Sequence, residues 1–341
     1  MTVPRHHRVA LAVWPSPMEP APRLAAAIGL HPDRLWLKRD DLGGVGAGGN
    51  KIRKLEWTLA AALADGADTV ITTGAAQSNH ARLTAAAATR LGLRTVLVFP
   101  GEPSSASQGN LLLDEILGAT IVWVGSDSQD DHALQAAAEE VAAQVRDDGR
   151  RPVVIPFGGS NAVGAHGYRL AGQEILSQRP ELDHVVCALG SGGTMAGLVA
   201  ALGPHRVLGV HTGAVPDTRA RVSDLLAQMG EPIDAADLRL RTDQVGDGYD
   251  ALAAAAGCAL RIAARSEGLI LDPTYTARAL AGLIAAIEDR TVTAADTVVF
   301  LVSGGLPGLF GHRDAATLGY GADAVERPGP FRRRPDVGED D

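Results

Sequence analysis

The sequence predicts an α/β protein built on parallel sheets, and three features carry that prediction. From about residue 68 the chain repeats short β-branched runs that read as buried strands: TVITTGA (69–75), RTVLVF (94–99), TIVWVG (120–125), RPVVIPF (151–157), HVVCALG (184–190), RVLGVHT (206–212) and TVVFLVSGG (297–305). Most are followed by an Ala/Leu-rich segment of helical period, such as HALQAAAEEVAAQVRDD (132–148). Such alternation gives parallel strands covered on both faces by helices. Third, four strand-to-helix junctions are rich in Gly, Ser, Thr or Asn: residues 74–80, 157–161, 190–194 and 303–305. Ligands of open α/β sheets bind beyond the carboxyl ends of strands, so these four loops are the predicted binding loops.

Composition narrows the function. The 341 residues are 46% hydrophobic, enough for two ordinary domains dividing near residue 160, while only 4% are aromatic, so helices are expected to pack through small side chains. A net charge of -9 argues against nucleic acid or an anionic membrane as a partner and favours a small-molecule site. Cys187 and Cys258 lie in no CxxC or Cys/His ligand spacing, so they read as buried, reduced thiols and no metal is expected. The N-terminus MTVPRHHRVA has no signal-like apolar core, and no run of about 18 apolar residues occurs. A cytoplasmic location is the expectation. The Pro-rich, charged ERPGPFRRRPDVGEDD (326–341) reads as a tail without a core.

In chain order, the first element that carries chemistry is GGNKIRKLE (48–56). Ile52, Leu55 and Leu59 fall on one helical face and Asn50 stands at the cap position. Yet Lys51, Arg53 and Lys54 place three cations in the first turn, where backbone N–H groups already disfavour positive charge by a few tenths of a kcal/mol each. Either all three snorkel into solvent or the turn faces an anion. In the second case one lysine neutralises charge while the other, its pKa depressed by burial and neighbouring cations, suits Schiff-base formation with an aldehyde.

GAAQSNH (74–80) closes a strand and opens a helix; Ser78 and Asn79 read either as caps or as contacts to a substrate carboxylate and a cofactor oxygen. His80 reads as a packing residue. In GSGGTMAGL (190–198), Gly190, Ser191, Gly192 and Gly193 form a tight turn and Thr194 opens a helix, an arrangement that suits a phosphate. No Gly-Lys-Ser/Thr follows, and Met195 occupies the last glycine position of a dinucleotide fingerprint, which excludes both nucleotide motifs. Tyr249 in VGDGYDA and Tyr275 in LDPTYTARALAGL are candidates for ring stacking or proton transfer, with packing as the alternative. Ser303 ends the last strand, where its hydroxyl either donates to a heterocycle nitrogen or caps the turn.

Five motifs, GGNKIRKLE, GAAQSNH, GSGGTMAGL, LDPTYTARALAGL and SGGLPGLF, occur in this order between about Leu35 and His312. The set resembles the D-cysteine desulfhydrase and 1-aminocyclopropane-1-carboxylate deaminase group of pyridoxal 5'-phosphate enzymes, of the tryptophan synthase β type. The resemblance implies fold type II, with two three-layer αβα domains and the cofactor between them. Residues 1–55 and 162–320 would form the large domain, 56–161 an inserted small domain and 321–341 a tail. It implies that Lys51 bonds the cofactor aldehyde and that Lys54 and the 190–194 turn hold the phosphate. Asn79 would meet the ring hydroxyl, Ser78 the substrate carboxylate, and Tyr249 and Tyr275 would flank ring and substrate. Cyclopropane deaminases carry Glu after the DPxY tyrosine, against the ring nitrogen. Thr276 stands there, so Thr276 or Ser303 would give a neutral hydrogen bond and a weaker electron sink. The implied reaction is β-elimination in a homodimer, with released Lys51, a tyrosine or Ser78 as the base that takes the α-proton; D-cysteine comes first as substrate, then L-cysteate or another β-substituted alanine, with the cyclopropane carboxylate behind them. Outside the enzyme class the alternative is a nucleotide-binding α/β protein, which would leave Lys51 idle.

Overall fold

The computed structural model describes residues 8–103, 107–125 and 131–319; the expected tail at 321–341 and the first seven residues lie outside these. The described chain opens with β1 (Met18–Pro20), α1 (Pro22–Ile28), β2 (Leu35–Arg39) and α2 (Lys51–Ala64). Next come β3 (Thr69–Thr73), α3 (Asn79–Arg90), β4 (Arg94–Phe99), α4 (Gly109–Ile116), β5 (Thr120–Trp123), α5 (Asp131–Asp147) and β6 (Pro152–Ile155). Then follow α6 (Ala162–Gln178), β7 (His184–Leu189), α7 (Gly193–Leu202), β8 (Val207–His211), α8 (Thr218–Gln228), β9 (Arg239–Arg241) and α9 (Ala254–Glu267). The last are α10 (Thr276–Glu288), β10 (Val298–Val302), α11 (Leu306–Gly311) and α12 (Ala315–Gly319).

The strands form two sheets, one ordered β1-β2-β10-β7-β8-β9 and one ordered β5-β4-β3-β6. Among the strands of the described residues, every pairing is parallel except that of β1 with β2. Successive strand residues point to opposite faces, and both sheets use this to bury two layers. On β10, Val298, Phe300 and Val302 join the core under α1, α9 and α10, while Val299 and Leu301 join the core under α6, α7 and α8. On β3, Val70 packs with α2 and α3 and Ile71 packs with α5. The fold class is therefore α/β, with three-layer αβα packing around mostly parallel sheets.

All seven predicted strands are present. Three more, β1, β2 and β9, are short or carry charged residues that mask them. The predicted helical face of α2 is also present, with Ile52, Leu55 and Leu59 fully buried beside Val70 and Leu83. That packing bears on the domain division: a boundary between 55 and 56 would cut α2 inside a single apolar face. We propose instead that the inserted unit begins ahead of Lys51 and ends ahead of α6, whose Tyr168 and Ile175 lie in the core of the larger sheet.

Helices approach closely where glycine allows it. A Cβ on Gly167 of α6 would sit 2.0 Å from the Arg53 carbonyl oxygen of α2. One on Gly197 of α7 would sit 2.3 Å from the Ala165 carbonyl oxygen. Backbone thus meets backbone from α7 through α6 to α2, so the start of α2 is fixed against the larger sheet.

Candidate active site

The four predicted loops converge. β3 and β6 are neighbours in one sheet and β7 and β10 in the other, and the loops that leave them wall one cavity together with the first turn of α2. Its lining includes Lys51, Lys54, Ser78, Asn79, His80, Phe157, Gly158, Gly190, Ser191, Gly192, Thr194, Tyr275 and Ser303.

The three cations of α2 separate by direction. Arg53 turns away from the cavity, and its Nε and Nη2 donate to the buried Asp40 carboxylate at 2.8 Å each. Lys54 is 1% exposed, and its Nζ donates to Ser160 Oγ at 2.9 Å and to the Gly158 carbonyl at 3.2 Å. No carboxylate pairs with Lys51 or Lys54 among the described residues. Burial, with the charges of Lys51 and Arg221, pushes the Lys54 ammonium well below its ordinary pKa. Lys51 is half-buried and donates to Asn50 Oδ1 at 3.1 Å. Burial lowers its pKa to about 8; Asp272 opposes the shift and Arg82 adds to it.

Opposite Lys54 lies the turn from β7 into α7. Gly192 takes φ +91°, a conformation suited to glycine, and the helix N-terminus beyond leaves backbone N–H groups without intrahelical acceptors. The Gly193 N–H donates to Ser160 Oγ, which lies 2.8 Å from Ser191 Oγ. Thr194 Oγ1 accepts from Asn50 Nδ2 at 3.1 Å, which leaves its own proton to give. Asn50 does not cap α2, as expected of it; its side chain instead links Lys51 to Thr194 across the cavity. Arg221 of α8 lies behind this turn and donates to the Ser160 carbonyl at 3.2 Å. Desolvated cations, hydroxyls and a helix N-terminus, with no carboxylate among the lining residues, make a site for a dianionic phosphate.

Around the remaining wall, Ser78 caps α3, accepting from the Ala81 N–H at 3.2 Å, and still faces the cavity. Asn79 Oδ1 accepts from Asn110 Nδ2 at 3.0 Å. His80 is buried, and Thr72 Oγ1 spends its proton on the Ile155 carbonyl, so the imidazole must carry its hydrogen on Nε2, 3.0 Å from that hydroxyl. Burial and the nearby Lys51 and Lys54 hold this ring neutral. Tyr275 lines the cavity with its ring centroid 5.6 Å from Lys51 Nζ, and its hydroxyl lies 2.5 Å from that of Tyr249. Tyr249 itself lines an adjoining hollow that shares Asn79 and Tyr275 with the cavity. Burial raises both phenols, Tyr249 to about 12, so both are neutral at ordinary pH.

Two further expectations fail. Thr276 does not reach the cavity: it is 1% exposed, its hydroxyl donates to Asp272 Oδ1 at 2.6 Å and accepts from the Asp272 N–H at 2.8 Å. Asp272 uses its carboxylate to cap α10, also accepting from the N–H groups of Thr274, Tyr275 and Thr276. Ser303, by contrast, lines the cavity with no hydrogen-bond partner for its hydroxyl among the described residues. Cys187 is buried, its thiol pushed up to about 12 by desolvation, but Cys258 is exposed on α9. Sequence reasoning missed Ser160, Arg221 and Asn110. The first sat in a flagged loop; the other two had no local signal.

A phosphate pocket joined to an amine of lowered pKa, set where parallel strands end, defines an enzyme site for a phosphorylated aldehyde. A family model described as pyridoxal-phosphate dependent enzyme matches residues 9–304, and the chain belongs to that family. It is 37% identical over 321 residues to a putative 1-aminocyclopropane-1-carboxylate deaminase of Pyrococcus furiosus, covering 90% of this chain and 94% of that one. It is also 37% identical over 332 residues to a D-cysteine desulfhydrase of Salmonella choleraesuis, covering 91% and 99%. Among solved structures, a 1-aminocyclopropane-1-carboxylate deaminase homologue superposes with TM-score 0.80 at 35% identity, covering 92% of this chain and 97% of that one. Maize serine racemase, at 20% identity, TM-score 0.62 and 89% and 90% coverage, shares the fold. The cofactor is pyridoxal 5'-phosphate. No helix among the described residues is long and apolar enough to cross a membrane.

The lowered Lys51 pKa has a kinetic consequence. Only the neutral amine attacks an aldehyde, and below about pH 8 most of it is protonated. Uptake of pyridoxal phosphate by the cofactor-free protein, followed by its visible absorbance, should therefore accelerate from about pH 7 to about pH 9 and then level off. A flat profile would contradict the assigned environment of Lys51.

Proposed function

We propose that the protein is a lyase that removes the α-proton and the β-substituent of a small amino acid, with D-cysteine as substrate. The observation that carries this reading is the ring-nitrogen end of the site. Thr276 stands where cyclopropane deaminases carry Glu, its hydroxyl is spent on Asp272, and Ser303 supplies the available hydroxyl. A carboxylate there would protonate the pyridine nitrogen and strengthen the electron sink that ring opening demands. A neutral hydroxyl leaves a weaker sink, which suffices when the β-carbon bears a good leaving group.

Pyridoxal phosphate supplies an aldehyde that bonds amines and a conjugated ring that accepts electron density from the α-carbon. In this proposal Lys54 and the Gly190–Thr194 turn would hold its phosphate, with the Arg221 charge behind them, Asn79 would donate to its ring oxygen, and Ser303 would donate to its ring nitrogen. The Lys51 amine, steadied by Asn50, would hold the aldehyde and, once free, carry the α-proton; Ser78 would receive the substrate carboxylate. The neutral hydroxyls of Tyr249 and Tyr275 form a proton-conducting pair at the cavity edge. Loss of the Cα proton and of the β-sulfur leaves a Cα=Cβ bond, and hydrolysis of that product gives pyruvate and ammonia.

A product assay tests this. D-cysteine should yield pyruvate and sulfide in equal amounts. Sulfite from L-cysteate as the faster reaction, or 2-oxobutanoate from 1-aminocyclopropane-1-carboxylate, would overturn the assignment. A cytoplasmic homodimer belongs to the same proposal. Ile116 of α4 and Phe310 of α11, on neighbouring helices, are exposed apolar side chains that a second copy would cover, and light scattering measures the mass.

A further inference from the structure

The orientation of the Asn79 amide is decided outside the cavity. Asn110, fully buried at the second position of α4, touches three groups whose roles bear on its own orientation. Its Oδ1 lies 2.7 Å from Arg82 Nε, and guanidinium nitrogens only donate. Its Nδ2 lies 2.8 Å from the Gln77 carbonyl oxygen, which only accepts, and 3.0 Å from Asn79 Oδ1. A donor at one end and an acceptor at the other leave the Asn110 amide one orientation, independent of how its oxygen and nitrogen are assigned. Its second N–H then requires an acceptor from Asn79. Asn79 must turn its oxygen outward to Asn110 and present its NH₂ to the cavity.

Both ends of this relay are firmly held. Arg82 is fully buried on α3, and its guanidinium also donates to the Gly46 and Gly48 carbonyls in the loop that leads to Lys51. Gln77 Oε1 accepts from the Asn110 N–H at 3.0 Å. Gly109 takes φ +57°, and a Cβ there would lie 2.5 Å from Gln77 Oε1 and 2.7 Å from the Pro307 carbonyl, so α4 begins at a position no other residue could occupy without displacement.

We infer that Asn110 is a positioning residue: anchored by Arg82, it sets Asn79 as a hydrogen-bond donor toward the cofactor's ring oxygen. This rests on the proposed placement of that oxygen beside Asn79. A donor would stabilise the oxygen as an anion, which favours loss of the proton that the ring oxygen would share with the Lys51 nitrogen when that lysine holds the cofactor. Asn110→Asp keeps the shape and the Arg82 contact but replaces the donor with an oxygen. Asn79 would then swing its NH₂ outward and face the ring oxygen with its own.

The test uses holoenzyme. Asn110→Asp should raise the pH midpoint of the cofactor's visible band and weaken cofactor retention in equilibrium dialysis by about tenfold, more than Asn110→Ala, which releases the Asn79 amide, Arg82 Nε and the Gln77 carbonyl but puts no acceptor against Asn79. In an Asn79→Ala background, Asn110→Asp should add no further shift. Should it still shift the band there, the new carboxylate acts directly and the relay is refuted. A normal band and normal retention in Asn110→Asp beside an altered Asn79→Ala would sink the relay while leaving the cofactor placement intact. An unaltered Asn79→Ala would sink both. If Asn110→Asp fails to fold, Asn110→Ala carries the test, since it should move the band midpoint by a smaller amount and a purely structural role would leave that midpoint in place.

Discussion

Lys51→Ala should abolish lysine-bound cofactor absorbance and lower turnover by about 10²–10⁴-fold while leaving the protein folded. The first two effects follow from one atom. Lys51 Nζ is the amine at the cavity edge with a pKa near neutrality, and its contacts to Asn50 and the Tyr275 ring direct it at the space the loops enclose. The third follows from the sign of its pKa shift. A lysine whose folded pKa lies at about 8, below its unfolded value of 10.5, binds its proton less tightly in the native state. At neutral pH that charge therefore opposes folding, and the opposition fades only as pH rises from about 8 toward 10.5. Removing the side chain relieves it, so the melting temperature of the cofactor-free variant should hold or rise. The phosphate pocket is intact in this variant, so it should still retain pyridoxal phosphate without the covalent bond, whereas Lys54→Ala should release it. Retention of the lysine-bound spectrum in Lys51→Ala would remove the basis of the proposed chemistry.

Sheets and loops were legible in the sequence because their signals are local. A β-branched run such as TVVFLV is buried on both faces wherever it sits in a parallel sheet, and the polar residues after it must end the strand. The strand-end rule then locates a site without knowledge of which strands are neighbours. What escaped was the pairing of groups far apart in the chain. β2, LWLKR, hides a buried strand behind two cations, because Lys38 is fully buried against Glu174. Thr276 could be matched to a motif position, but only the fold shows that Asp272, four residues earlier, claims its hydroxyl. Asn110 comes within reach of Asn79 only once α4 is set against α3.

The cationic turn of α2 shows the same limit, and it leads to the largest expected change in stability. Two of its three charges face the cavity, but Arg53 balances the buried Asp40 and the partly buried Glu174. Asp40, fully buried, accepts from Arg53 through both oxygens, from Tyr168 at 2.5 Å and from Ser16 at 2.7 Å. Glu174 of α6 takes the outer side of the guanidinium at 2.9 and 3.0 Å, and the Trp14 ring stacks 3.7 Å from it. Burial alone would raise the Asp40 carboxyl, yet the Arg53 charge and these hydrogen bonds hold it below its ordinary value. Its contribution is therefore present at neutral pH and is lost only as pH falls through that depressed value. Arg53→Met keeps an unbranched stem but, being shorter and uncharged, leaves Asp40 without its guanidinium partner, which should cost about 3–5 kcal/mol. Asp40→Asn on top of it removes the stranded charge and should recover part of the loss, a non-additivity that denaturant titration of all three variants measures. Because Arg53 lies between Lys51 and Lys54 in one turn, Arg53→Met should also loosen the cofactor. A variant with unchanged midpoint and unchanged cofactor retention would mean that backbone contact at Gly167, rather than the ion cluster, holds the start of α2 in place.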